Sequence, residues 1–219
     1  MYLYFAILVA VYVLIFFIKS GDITSNRLLM ETNPVFLLAS LFGGGYLFVT
    51  IYNDDLNAKT LPTLIGFGMK KTTIILSKLI IYVTMTILIF LGTFILFYLT
   101  FIAFGFEITN DMLKQLTTVL FSNFFQLLAF SSIASIVVYG TQKASMSIVT
   151  FVLLVTTFVS SIIIMFLGQN NILKDYMIMP LVSNMLTAPT ITTITLYLIY
   201  MVIFTLLSIF AFHKKDLEF

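Results

Sequence analysis

Cysteine and tryptophan are absent from this 219-residue chain, and histidine occurs once. Without cysteine there is no disulfide, no thiol nucleophile and no thiolate metal site. The lone His213 cannot build a histidine cluster for a metal. Charge is also scarce: Asp, Glu, Lys and Arg make up 9% of the residues, where soluble domains carry about 25%. A net charge of +2 is too small to point to a nucleic-acid partner.

What fills the chain instead is apolar surface, 61% of residues with a mean hydropathy of +1.13. Such a composition belongs in a bilayer. Six helices of about 20 residues would use roughly 120, which leaves room for loops and for no sizeable soluble domain. An unpaired charge at the bilayer centre costs several kcal/mol, so the charge-free stretches locate the spans. They predict an all-α integral membrane protein of one domain, 1–219, with helices at about 1–18, 34–52, 74–104, 113–139, 145–167 and 190–212. The run 1–18 has no basic segment before it and no small-x-small site ahead of Lys19, so it reads as a helix and not as a cleaved signal. Asn33-Pro34 reads as a cap with proline at the first helical position, and Asn110-Asp111 opens the fourth helix in the same way.

Orientation follows from the basic residues. Lys59, Lys70, Lys71, Lys78, Lys143, Lys214 and Lys215 fall on one side of this topology; Lys19, Arg27, Lys114 and Lys174 fall on the other. The excess places both termini in the cytoplasm. On the opposite side, the connection 168–189 is too apolar for a solvated loop, with Met177, Ile178, Met179, Leu181 and Val182 around Pro180. It is expected to dip back into the outer leaflet as a hairpin shielded by neighbouring helices.

The connection 53–78, NDDLNAKTLPTLIGFGMKKTTIILSK, mixes acids, bases and apolar residues. Leu56, Leu61, Leu64 and Ile65 each gain about 1.5–3 kcal/mol on burial, so something apolar should cover them. Two covers are open: the lipid headgroup region under an interfacial helix, or a cytoplasmic protein. Here the chain resembles the permease subunits of ABC-2 type exporters. Asp54 and Asp55 match that family's acid pair, Thr60-Leu61 its Thr-Leu, Leu64-Ile65 its apolar stretch, and Lys78 the lysine that opens the third helix. The ending Phe212-His213-Lys214-Lys215-Asp216 is similar to the family's aromatic-basic-Asp terminus. Lys59 stands where the family favours Gly, and Gly68 where Pro is common.

The resemblance implies a six-helix ABC-2 type (type V) exporter domain whose 53–78 loop forms a coupling helix seated on an ATPase subunit. Asp54, Asp55, Leu56, Lys59, Thr60, Leu61, Leu64, Ile65, Lys70 and Lys71 are then the docking residues. Replacing Thr60, Leu61 and Leu64 with Asp is expected to release the ATPase and leave the bundle folded. The chain supplies no energy of its own, and so is read as not an enzyme. The nearest approach to the phosphate-binding G-x-x-x-x-G-K-[ST] is Lys71-Thr72, with Ile65 and Lys70 where the glycines belong. ATP and Mg would be held by the partner ATPase, with no cofactor on this chain. A second permease subunit completes the pathway, lipids surround it, and the implied substrate is a hydrophobic or amphipathic peptide leaving a bacterial plasma membrane.

Inside the spans, Asn123 and Gln126 share a helix face at i and i+3. They are read as an interhelical hydrogen-bonding pair, with substrate contact as the alternative. Tyr12 and Tyr46 are candidates to line a lumen. Gly43, Gly44 and Gly45, and Ser131, Ser132, Ala134 and Ser135, are small enough for close helix approach, with a flexible gate as the alternative. A proton-coupled carrier needs an intramembrane acid or histidine, and an intramembrane protease a zinc pair or a serine with its base; the predicted spans offer neither. The competing reading is a non-transporting immunity or scaffold protein that sequesters a membrane-active peptide.

Overall fold

A computed structural model describes residues 43–53, 60–103, 109–156, 158–167, 177–178, 181 and 190–214. Among them every regular element is helical. Residues 43–48 form helix α1, which widens into a π-helical turn at Val49–Asn53. A short helix, α2 (Thr60–Gly66), precedes the long helices α3 (Lys71–Ala103) and α4 (Asn110–Thr141). Then come α5 (Ala144–Val155), α6 (Phe158–Leu167) and α7 (Ile191–Lys214).

Three of these are long and apolar enough to cross a membrane: Lys71–Leu99, Leu113–Thr141 and Ile191–Lys214. At 1.5 Å per residue the shortest, with 24 residues, is about 36 Å long, and the hydrocarbon core is about 30 Å thick. The expected span 1–18 lies outside the described residues, and 34–52 is described from residue 43. The expected fifth helix, 145–167, is two shorter apolar helices. The first of them ends at Val155, where Thr156 N–H bonds Val152 O at 2.9 Å.

α4 is the central helix, with 72% of its spanning window buried against 22% for α3 and 17% for α7. Its most extensive partner is α7. Phe125 meets Tyr197, Ser135 meets Ser208 and Tyr139 meets Phe212, so α4 and α7 run parallel. Gly44 lies against Leu127, and Tyr52 against Tyr139, which makes α1 parallel to α4 as well. α3 runs the other way, from Tyr82 beside Tyr52 to Phe90 beside Phe124. One end of the bundle therefore gathers the end of α1, the start of α3 and the ends of α4 and α7. Lys70, Lys143 and Lys214 are exposed at that end.

Helix ends follow local chemistry. Asn110 opens α4, with Asp111 in the first turn where the helix dipole favours an acid. Thr190 accepts the Thr193 amide and donates its own amide to the Thr193 hydroxyl, a reciprocal cap for α7. α4 ends with Gln142 N–H bonded to Val138 O at 2.9 Å, and Gln142 takes the left-handed conformation at φ 55°. That position favours glycine. Gln142 is also the one residue among those described with a buried side-chain polar atom, Nε2, that has no hydrogen-bond partner. Gln142→Gly is therefore expected to stabilise the bundle by about 1 kcal/mol, measured as a rise in the thermal midpoint of the purified protein.

Candidate functional site

α2 is a seven-residue helix closed by a glycine. Met69 N–H bonds Leu64 O at 3.1 Å and Gly68 N–H bonds Ile65 O at 2.9 Å, with Gly68 at φ 86°. This pair of bonds is the Schellman closure, and it needs both a left-handed residue and a free amide at Gly68. Proline at this position would supply neither.

Leu61 is 4% exposed, and Leu64 and Ile65 pack against the same core cluster as Phe48, Tyr52 and Ile74. Their cover is thus the bundle itself. The exposed apolar groups lie in the turn that closes α2: Phe67 is 82% exposed and Met69 is exposed two residues on, with Thr63 of α2 and Lys70 exposed near them in sequence. This corrects the sequence-level test. An Asp at Leu61 would be buried and would unfold the anchor instead of probing a partner.

Lys71, the first residue of α3, is half-buried. Its Nζ donates to Phe212 O at 3.0 Å and lies 5.2 Å from the centre of the Phe212 ring. Phe212 packs on Tyr139 at 4.9 Å, Tyr139 on Tyr52 at 6.3 Å, and Tyr52 on Phe48 at 4.9 Å. Phe48 in turn stacks on Phe151 at 4.8 Å. An aromatic train so crosses α7, α4, α1 and α5, in the same cluster that holds Leu61 of α2.

No family model, curated protein or solved structure matches this chain. The site must therefore be read from its own geometry.

Deeper in the bundle lies a polar seam. Tyr82 OH reaches Gly44 O at 3.4 Å and also contacts Ser131, and Ser135 Oγ meets Ser208 Oγ at 2.7 Å. These bonds tie α1, α3, α4 and α7. Gly44 admits Leu127 so closely that a Cβ there would meet Leu127 Cδ2 at 2.5 Å. Asn123 and Gln126 are both buried; Asn123 Nδ2 bonds Val119 O one turn back on its own helix at 2.8 Å, and Gln126 is also partnered. Tyr46 is 55% exposed, and its carbonyl accepts the Thr50 hydroxyl.

Of the connection 168–189, Ile178 O accepts Tyr197 OH at 3.0 Å, and Leu181 is buried with Phe125, Ala129 and Tyr197. A groove of about 330 Å³ opens between α3 and α4 beside Phe90 and Phe124. Among the described residues its one polar wall group, the Thr117 hydroxyl, is already bonded to Leu113 O. The groove accordingly suits hydrocarbon.

Asp54, Asp55, Leu56, Lys59 and Tyr12 lie outside the described residues. Thr60 is the half-buried first residue of α2 and is partnered. Among the described residues no three His, Asp or Glu side chains converge on a metal position. Sequence reasoning missed Phe67 and Met69. The available signal was an aromatic residue between two glycines, Gly66 and Gly68, just before a basic pair.

Proposed function

We propose that this chain is the membrane-spanning permease subunit of an ATP-driven exporter, moving hydrophobic or amphipathic peptides out of a bacterial cell. α2 is its contact with a separate ATPase subunit that holds ATP and Mg, and a second permease subunit completes the pathway. Both termini are cytoplasmic in this reading. The observation that carries it is α2 itself. A short helix, anchored through Leu61 at the end where α3 starts and α4 and α7 finish, and the turn that follows it leave Thr63, Phe67, Met69 and Lys70 exposed.

A helix fixed so firmly to the bundle transmits force, because packed helices shift as bodies between discrete arrangements. ATP-driven closure of two ATPases would press on α2 in each permease and switch the bundles between inward-open and outward-open states. The apolar groove and the scarcity of charge within the spans support an apolar cargo.

The test is to search the neighbouring reading frames for a P-loop ATPase and to co-purify its product with this chain. The wild-type permease is expected to retain it, and to stimulate ATP turnover in proteoliposomes when a membrane-active peptide is added. The double variant Phe67→Asp, Met69→Asp is expected to lose at least tenfold in ATPase retention, with the bundle still folded, since both side chains are exposed. A wild-type chain that holds no ATPase, or a complex whose turnover ignores every peptide, would overturn the reading.

A further inference from the structure

We infer that Lys71 is a latch that carries displacement of α2 to the end of α7. The last four carbonyls of a helix have no partner within it, and in α7 (Ile191–Lys214) Phe212 O is one of them. Phe212 is fully buried. Its carbonyl is bonded by a cation from a helix 141 residues earlier in the chain, Lys71 Nζ at 3.0 Å. The same ammonium faces the Phe212 ring, so charge, hydrogen bond and ring all hold one residue.

The local sequence does not explain a lysine here. Lys71 opens α3, and a cation at a helix N-terminus opposes that helix's own dipole. The negative end of α7 beside it compensates. Lys71 also follows the closed turn Phe67-Gly68-Met69 after one residue, Lys70, and Ile74 and Ile75 bury the next turn of α3. The closed turn joins α2 to the start of α3, Leu61, Ile74, Ile75 and Phe212 share one apolar cluster, and Lys71 adds the hydrogen bond that ties this corner to the end of α7. Past Phe212, the contacts with Tyr139 and of Gly140 with Ala211 take the connection into α4. The role of this latch in transport rests on the exporter reading above, where it is the route from the ATPase to the central helix pair.

The experiment uses the full chain in lipid nanodiscs without any ATPase, so its outcome is separate from that of the exporter reading. Amide exchange is followed in the last turn of α7. Lys71→Met is expected to speed exchange there about five- to tenfold, with Lys71→Gln as the alternate variant should Lys71→Met fold poorly. Lys71→Arg, which keeps the charge and the N–H donors, is expected to stay within about twofold of wild type.

Transmission is read by a double-mutant cycle. Leu61→Ala, which loosens the anchor of α2, is expected to speed exchange in the α7 turn about threefold when Lys71 is present. It should add nothing when Lys71 is Met. Three results would overturn the proposal: an unchanged α7 turn in Lys71→Met, exchange in Lys71→Arg as fast as in Lys71→Met, or effects of Leu61→Ala and Lys71→Met that simply multiply.

Discussion

Phe48→Ala is expected to lower the unfolding free energy of the bundle by about 2–3 kcal/mol, measured by steric trapping in bicelles. Phe48 has no exposed surface and is stacked between Tyr52 at 4.9 Å and Phe151 at 4.8 Å. In a water-soluble core the cost of such a truncation runs to about 3–5 kcal/mol, part transfer and part cavity. Where hydrocarbon surrounds the bundle, the transfer part is small, because lipid tails are as apolar as the interior. What remains is the lost dispersion contact of a ring with two close aromatic neighbours. A cost below about 1 kcal/mol would mean that the aromatic train does not hold α1, α4 and α5 together.

Gly44→Val is expected to destabilise by about 1–3 kcal/mol, and Leu127→Ala is expected to restore most of that loss. The built Cβ at Gly44 meets Leu127 Cδ2 at 2.5 Å, Cδ1 at 3.0 Å and Cγ at 3.3 Å. Leu127 is itself buried, so it has little room to withdraw. The double variant separates two roles of the glycine run. If close approach is what Gly44 provides, removing the opposing leucine relieves the clash, and the cycle shows strong coupling. If backbone freedom is what matters, as in a gate, Leu127→Ala rescues nothing and adds its own cavity cost.

The long helices were legible because their signal is additive. Each of 20 or more apolar positions without a charge contributes, and helices of membrane-spanning length appear at Lys71–Leu99, Leu113–Thr141 and Ile191–Lys214. The α4 start was readable from the Asn110-Asp111 pair, which stands in the first turn of the helix. The break near Thr156 was not, since the sequence is apolar on both sides of it and hydropathy does not mark where one helix ends and the next begins. Nor was the outer face of α2. On a seven-residue helix composition says that some apolar residues must be covered, but which ones depends on how the helix is laid on its neighbours.

The linear order of residues determined that long apolar helices form and that the chain lacks the G-x-x-x-x-G-K-[ST] motif. Those properties are sums over local chemistry, and local chemistry is written along the chain. Tertiary structure alone decided that Leu61 points inward while Phe67 points out, that Gly44 touches Leu127, and that Lys71 ends on Phe212 O. Each of these depends on residues far apart in sequence being brought within a few ångströms. Helix packing fixes that proximity, and no periodicity within a single helix encodes it.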